Sequence, residues 1–335
     1  MSIRPPLFAG LSAFPLTPVT DGGIDAEAFT VLVGQLADAR VDSITALGST
    51  GSYAYLDRSE RRQAVELAVA AAGDVPVFAG IGAIRTRDVL AHTQDAQAAG
   101  AAALLLAPVS YQRLTDGEVY ALFEDVAADS SVPLIVYDNP GTTGFTFTDD
   151  LHARIAALDA VAAIKIPPVA GGYPAVQDRI RRLRGKIPVD VSIGISGDAV
   201  AADALRAGCD AWYSVLAGTM PGPCRAIVDA IRDGNPDLAI EISERLRPVW
   251  DLFDAYGSYR VVSAIAEGLG LVSHPSLPRP VLGLDPIGRQ RVRNALTQVA
   301  DHTQSGDRSD LTPGGRLTKP ATAKQTSDEG TQENP

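Results

Sequence analysis

Short apolar segments recur along the first two-thirds of the chain, and polar or turn-forming residues separate them. Each segment has at most seven residues and is bounded by glycine, proline or serine, which favours buried strands over helices. The predicted strands are 10–14, 43–47, 75–80, 101–107, 133–137, 161–166, 189–193 and 211–215.

Between these strands apolar residues recur three or four positions apart, and this spacing predicts amphipathic helices. Phe29, Leu32, Val33 and Leu36 are an example. The predicted helices are 25–40, 58–72, 86–99, 115–128 and 148–158, and a further helix ends at 208. Strands that alternate with helices predict a parallel sheet with right-handed crossovers. Eight such strands close a (β/α)₈ TIM barrel, and an open doubly wound α/β sheet is the alternative.

After Met220 the strand pattern stops, and helices are predicted at 221–232, 237–255, 259–271 and 286–301. The first completes the barrel, and the others form a C-terminal helical extension that packs on the barrel or on another subunit. From His302 the chain is polar and rich in glycine, a composition typical of disorder. The predicted organisation is a barrel at 1–220, a last barrel helix and helical layer at 221–301, and a disordered tail at 302–335.

The composition is that of a globular protein with a sizeable core, since 46% of the 335 residues are hydrophobic and 21% are charged. A net charge of −11 without a basic block argues against nucleic-acid binding. No apolar run approaches the ~18 residues that a membrane-spanning helix needs. Cys209 and Cys224 have neither metal nor redox spacing, and no signal peptide is recognisable, so the sequence predicts a cytoplasmic protein.

Lysine is rare in this chain, and Lys165 is placed inside a predicted strand. Arginine accounts for 25 of the 29 basic residues, and the other lysines, Lys186, Lys319 and Lys324, lie in a turn and in the polar tail. Burial lowers the pKa of a lysine toward neutrality, whereas an arginine stays charged. A neutral amine on a rigid strand is what attack on a ketone to form a Schiff base requires. The structural alternative is a strand-end lysine whose amine extends to solvent.

The residues at the carboxyl ends of the strands are the candidates for an active site, because that is where barrel enzymes place it. Tyr137 ends the strand before that of Lys165, and neighbouring strands lie about 4.8 Å apart, so the phenol and the amine can reach one reacting centre. Gly48-Ser49-Thr50-Gly51 presents hydroxyl and N–H groups that suit a carboxylate. A tyrosine that only packs and an ordinary turn are the alternatives.

A metal-dependent barrel enzyme is the competing hypothesis, and its signature is histidine and carboxylate residues at strand ends. None of the histidines, His92, His152, His274 and His302, ends a predicted strand. Asp138 and Asp198 could bind a cation, but two carboxylates without histidine more often cap helices. Neither a Walker A loop nor G-x-G-x-x-G is present, so we expect no metal and no nucleotide cofactor.

These motifs together resemble the dihydrodipicolinate synthase / N-acetylneuraminate lyase superfamily of class I, pyruvate-type aldolases. The resemblance covers roughly residues 7–300. It rests on the Gly48-Ser49-Thr50-Gly51 loop, on Tyr137-Asp138-Asn139-Pro140 as the family's Y-x-x-P motif, and on Lys165 placed 28 residues beyond the tyrosine. Ala13-Phe14-Pro15-Leu16-Thr17-Pro18 at the first strand is also typical.

The resemblance implies roles for the candidate residues. Lys165 would form the Schiff base, Tyr137 would act as general acid and base, and Ser49 would relay protons or, with Thr50, hold a carboxylate. Tyr111 is similar to a catalytic tyrosine that many members donate across a dimer interface, and the family is usually a homotetramer, a dimer of dimers. The residues expected to bind substrate are Gly48, Thr50, Arg85, Arg113, Thr142 and Ser196.

Three positions depart from the family pattern. Ser52 replaces the usual glutamate after the loop, Gly141-Thr142-Thr143 lacks the arginine of genuine dihydrodipicolinate synthases, and Ile166 replaces an acidic residue. The missing arginine would clamp the carboxylate of the aldehyde substrate, so the expected substrate is a different one, such as a 2-oxo-3-deoxy sugar acid. Arg85 and Arg113 would bind an acidic substrate or lie solvated on the surface. A catalytically silent sugar-acid-binding or regulatory barrel is the remaining alternative.

Overall fold

The computed structural model describes residues 7–304, and a closed barrel of parallel strands forms its centre. In chain order the strands are β1 (Gly10–Ala13), β2 (Val19–Thr20), β3 (Gly23–Ile24), β4 (Ser43–Ala46), β5 (Val77–Gly80), β6 (Ala103–Leu106), β7 (Leu134–Tyr137), β8 (Val161–Ile166), β9 (Ser192–Ile195) and β10 (Ala211–Ser214). β2 and β3 form an antiparallel hairpin. The other eight close in the order β1-β10-β9-β8-β7-β6-β5-β4, which confirms the predicted (β/α)₈ barrel.

Helices follow the barrel strands and cover the outside of the barrel. In chain order they are α1 (Ala26–Asp38), α2 (Arg58–Ala71), α3 (Thr86–Ala98), α4 (Asp116–Asp129), α5 (Pro140–Thr143), α6 (Asp149–Ala156), α7 (Gly172–Arg184), α8 (Ala201–Arg206), α9 (Pro221–Arg232), α10 (Pro236–Arg245), α11 (Arg247–Tyr256), α12 (Ser258–Gly268) and α13 (Pro286–Gln304). Local capping sets several starts: Asp57 with Glu60 forms a capping box at α2, and Thr115 with Glu118 does so at α4. None of these helices is long and apolar enough to cross a membrane.

Two buried layers hold the barrel together. Side chains such as Phe14, Phe78 and Tyr213 fill its interior, and a larger apolar cluster lies between the strands and the helices. A third cluster joins Leu32 on α1 to Ala266 on α12. The C-terminal helical layer therefore packs directly on the barrel.

The predicted strand at 189–193 is wrong, because the strand lies at Ser192–Ile195 and Val189 is 96% exposed. Pairing with β8 sets this position, since Ala163 lies opposite Ser192 and Lys165 opposite Gly194. Apolar residues alternate with others all along this segment, so the local pattern fits either position.

The helix pattern also differs from the prediction, since α5 and α7 were not predicted and one predicted helix is divided. α7 was not predicted, although its apolar residues Val176, Ile180 and Leu183 are buried, because arginines dominate that segment. The predicted helix at 237–255 is divided into α10 and α11, where Leu246 separates the two and a proline opens the second. α13 continues to Gln304, and the rest of the predicted disordered tail, 305–335, lies outside the described residues.

Candidate active site

Lys165 is buried inside the barrel, only 3% exposed, and its amine faces a set of aromatic rings. Its Nζ atom lies 3.8 Å from the ring centroid of Phe14, 4.1 Å from that of Tyr137 and 5.5 Å from that of Tyr213. Gly194 lies opposite Lys165 on β9, and a Cβ atom there would meet the Tyr213 ring at 2.3 Å. A glycine at this strand position therefore leaves room for Tyr213. The rings of Phe14, Tyr137 and Tyr213 form an aromatic cage around the amine.

Burial lowers the pKa of the Lys165 amine from 10.5 to about 7, against a smaller opposing effect of the Asp198 carboxylate. A large fraction of the amine is therefore neutral near pH 7, as a nucleophile requires. The carboxylate of Asp198 is itself fixed by hydrogen bonds from the Trp212 indole at 2.9 Å and the Leu216 N–H at 2.8 Å. Asp198 thus anchors the barrel end instead of ion-pairing with the amine.

The phenol of Tyr137 lies beside the amine, because Tyr137 and Lys165 are paired in register on β7 and β8. Asn139 donates a hydrogen bond to the phenol oxygen at 2.8 Å, and the Ser49 hydroxyl shares one with it at 3.2 Å. Burial raises the pKa of Tyr137 to about 12, and the bonds to Ser49 and Asn139 partly oppose that rise. The phenol is therefore protonated at neutral pH and ready to donate.

The Gly48–Gly51 loop wraps tightly at the end of β4. The Gly51 N–H donates to the Gly48 carbonyl at 2.9 Å, and a Cβ atom at Gly48 would meet the Phe14 ring at 2.4 Å. The Thr50 hydroxyl is buried without a hydrogen-bond partner among the described residues, and so are those of Thr17 and Ser196. These hydroxyls follow β4, β1 and β9 at the same end of the barrel, where a ligand could satisfy them.

The remaining predicted residues lie at the rim of the barrel rather than beside the amine. Tyr111 is 88% exposed, and Arg85, Arg113 and Thr142 are exposed as well. Arg85 follows β5, Tyr111 and Arg113 follow β6, and Thr142 follows β7, so all four lie at the same end of the barrel as Lys165. Their proposed roles stay predictions, whereas Lys165, Tyr137 and Ser49 are brought together.

Sequence reasoning gave no role to three members of the site: Phe14 and Asn139, which stand in the quoted motifs, and Tyr213. A signal for Asn139 was present, since residues two apart on an extended segment point the same way and Asn139 follows Tyr137 by two. Tyr213 had no such signal, because its place beside Lys165 depends on the register between strands far apart in sequence.

The two candidate cation ligands face other groups of the protein. Asp198 is bound by the N–H donors described above, and a carboxylate oxygen of Asp138 lies 3.5 Å from the Nε2 atom of His152. Within residues 7–304 no three histidine, cysteine, aspartate or glutamate side chains converge where a metal ion could bind.

Ser52, which the resemblance sets in place of a glutamate, connects the loop to the C-terminal helices. It is 1% exposed and adopts a left-handed backbone with φ +62°. Its hydroxyl shares a hydrogen bond of 2.6 Å with the hydroxyl of Tyr259 on α12. The loop that carries Ser49 and Thr50 is thereby fixed from the helical layer.

Tyr259→Phe is expected to destabilise the protein by about 1 to 3 kcal/mol, because it leaves the buried Ser52 hydroxyl without a partner. Ser52→Ala should have a similar effect, and the double variant should lose less than the sum of the two, since neither polar group then remains. Urea denaturation of the four proteins measures this coupling. Additive losses would show that the two hydroxyls stabilise the fold independently.

Comparison with known proteins agrees with this geometry. The sequence model of the Dihydrodipicolinate synthetase family matches residues 7–299. A 4-hydroxy-tetrahydrodipicolinate synthase from Methanothrix thermoacetophila is 29% identical over 298 residues, which is 89% of this chain and 99% of that protein. A synthase of the same name from a Shewanella species is 31% identical over 85% of this chain and 95% of its own length.

Solved structures give the same result. A dihydrodipicolinate synthase from Agrobacterium tumefaciens superposes with a TM-score of 0.84 at 46% identity, covering 88% of this chain and 98% of that one. A chloride-inhibited dihydrodipicolinate synthase from Acinetobacter baumannii, solved in complex with pyruvate, superposes with a TM-score of 0.79 at 26% identity, covering 88% and 99%. Together with the family match, these similarities confirm the resemblance seen in the sequence, and the chain belongs to the dihydrodipicolinate synthetase family.

Proposed function

We propose that this protein is a lyase of the aldolase type that acts through a Schiff base between Lys165 and pyruvate or another 2-oxo acid. One observation carries the proposal: a buried lysine amine whose pKa is lowered to about 7 lies 4.1 Å from the ring of a tyrosine with a protonated phenol. The pyruvate complex of the Acinetobacter relative supports the choice of ligand.

In the first step the neutral amine of Lys165 adds to the C2 ketone and gives a carbinolamine. The phenol of Tyr137 donates its proton to the carbinolamine hydroxyl, which leaves as water, and a protonated imine remains. The resulting phenolate is stabilised by donors from Asn139 and Ser49, the two side chains already bonded to the phenol oxygen.

In the second step the protonated imine accepts electrons from the substrate. The Tyr137 phenolate removes a proton from C3 to give an enamine, or from a C4 hydroxyl so that the C3–C4 bond breaks. Either route returns the phenol to its protonated form, and water later releases the product from Lys165. No external cofactor is needed for these steps.

The substrate carboxylate would bind to the Gly48–Gly51 loop, where the Thr50 hydroxyl is buried without a partner among residues 7–304. Gly141-Thr142-Thr143 supplies no arginine beside Tyr137, which supports a substrate other than that of the 4-hydroxy-tetrahydrodipicolinate synthases, such as a 2-oxo-3-deoxy sugar acid. Ser196, Thr142, Arg85 and Arg113 would contact the distal part of that substrate.

We also propose a homotetramer built as a dimer of dimers, with Tyr111 entering the site of a partner subunit. The 88% exposure of the Tyr111 side chain supports this, because a bare aromatic residue at a barrel mouth is well suited to an interface. A cytoplasmic location fits the two free, buried cysteines, Cys209 and Cys224.

Intact-protein mass spectrometry after incubation with pyruvate and borohydride, followed by peptide mapping, tests the proposal. The expected result is one reduced pyruvate on Lys165. An adduct only with longer 2-oxo acids would change the substrate, and an adduct without any turnover would favour the silent binding barrel. No adduct with any 2-oxo acid would contradict the Schiff-base mechanism, and a metal-dependent reaction would then be the better hypothesis.

A further inference from the structure

Asp138 is joined through its backbone to Tyr137 and to Lys165, the two residues at the centre of the site, whereas its carboxylate contacts helix α6 outside the barrel. It follows Tyr137 directly, and its N–H donates a hydrogen bond to the carbonyl of Lys165 at 3.0 Å. Its side chain is 3% exposed and contacts helix α6 outside the barrel. The backbone of Asp138 is therefore part of the frame that holds both the phenol and the amine.

The partner of this carboxylate is His152 on α6, a side chain with no exposed surface. The Nε2 atom of His152 lies 3.5 Å from an oxygen of Asp138, and the imidazole stacks on Phe147 at a centroid distance of 4.9 Å and an interplanar angle of 4°. The stacking fixes the plane of the ring. Both imidazole nitrogens and one oxygen of Asp138 have no hydrogen-bond partner among the described residues.

Leaving polar atoms unpaired in a buried site is costly, so a small approach that closes this 3.5 Å contact into a hydrogen bond would be favourable. Burial raises the pKa of Asp138 to about 7 and lowers that of His152 to about 4. The charged groups that face the contact are Arg179 on α7, which lowers both pKa values, and Asp149 on α6, which raises that of His152. When Asp138 is protonated, its O–H can donate to Nε2 of the neutral imidazole, and when Asp138 is ionised, an Nε2–H can donate to the carboxylate.

We propose that Asp138 and His152 are positioning residues for Tyr137: their contact fastens the end of β7 to α6 and so fixes the phenol and Asn139 against the amine. This inference rests on the proposed Schiff-base function. Three connections carry it: the contact to His152, the bond from the Asp138 N–H to the Lys165 carbonyl, and the bond from Asn139 to the phenol. All three pass through the segment 137–139.

Two assays with pyruvate alone separate positioning from Schiff-base formation. The equilibrium amount of borohydride-trapped adduct reports on Lys165, whereas deuterium exchange into the pyruvate methyl group in D₂O, followed by NMR, reports on proton removal at C3. His152→Phe keeps the ring stacked on Phe147 but removes its nitrogens. We expect unchanged trapping and an exchange rate per trapped site about tenfold lower, because a displacement of the acid/base group is costly. Asp138→Asn, which can still donate to Nε2, should retain most of the rate.

The decisive comparison is made in a second background. If the pair acts through the phenol, His152→Phe should cause no further loss in a Tyr137→Phe protein. The proposal would be overturned if His152→Phe lowered the exchange rate by the same factor in the wild-type and the Tyr137→Phe proteins, or if it caused no loss in the wild type. If His152→Phe does not fold, Asp138→Ala replaces it in the same two backgrounds. Asp178→Ala, at an exposed ion pair on α7, is the control substitution. Failure of trapping in the wild-type protein would instead contradict the Schiff-base function itself.

Discussion

Lys165→Met is expected to abolish both the borohydride adduct and deuterium exchange into pyruvate, while the protein stays folded. Methionine is close to lysine in length and lacks the amine, so no covalent bond to the ketone can form. It is also apolar, and the aromatic cage of Phe14, Tyr137 and Tyr213 accepts a thioether well. The loss should therefore be complete rather than partial.

The same substitution should stabilise the protein. The pKa of Lys165 is about 7 in the folded state and 10.5 as a free side chain. Because the pKa is lower in the folded state, burying the charged amine lowers the free energy of unfolding of the wild type. This penalty is complete below about pH 7 and disappears as the pH rises toward about 10. At about 1.4 kcal/mol per pKa unit, Lys165→Met gains up to about 4 kcal/mol over wild type at pH 7. Urea denaturation at pH 7 and pH 10 measures the difference, which should shrink at the higher pH.

Lys186→Met is the matched control, since Lys186 is surface-exposed and pairs with Asp150 outside the barrel. It should trap pyruvate and exchange deuterium as the wild type does. The trapping rate of the wild type should rise with pH through about 7 as the amine loses its proton. Residual exchange in Lys165→Met would show that another group activates pyruvate and would remove Lys165 from the mechanism.

Tyr137→Phe is expected to slow deuterium exchange by about 10² to 10⁴, the usual contribution of a positioned acid or base. The amine remains, so the equilibrium amount of trapped adduct should change little while its rate of formation falls. Ser49 and Asn139 lose their shared partner, and the variant is expected to be less stable by about 1 kcal/mol.

Tyr120→Phe is the control for this substitution, because Tyr120 lies on α4, where its ring faces Arg154. It should exchange deuterium at the wild-type rate. An unchanged rate in Tyr137→Phe as well would mean that the phenol only packs beside the amine, and that water or the Ser49 hydroxyl carries the proton.

The central pair of the site was predictable because parallel strands place their carboxyl ends together. Tyr137 and Lys165 end consecutive strands, so their proximity follows from the strand count alone, and the register confirms it. The unusual choice of lysine in an apolar segment made Lys165 the candidate nucleophile without reference to any fold.

Other features depend on contacts that local patterns do not encode. Ser52 and Tyr259 are 207 positions apart, and the short hydrogen bond between them exists only once α12 packs on the barrel. Asp138 and His152 looked like unrelated polar residues, one at a strand end and one in a helix. The position of β9 was set by its neighbour β8 and not by its own alternation, which is why its prediction was wrong.

The aromatic cage has a consequence for the electrical charge of the site during a catalytic cycle. Part of the free amine is neutral near pH 7, whereas the imine that the proposed mechanism forms from it would be a cation lying between the faces of Phe14 and Tyr137. Ring faces attract a cation through their quadrupoles and cannot take up a proton. The cage therefore stabilises the charge of the imine that the proposed mechanism forms, and Tyr137 is the member of the cage whose hydroxyl that mechanism uses to exchange protons.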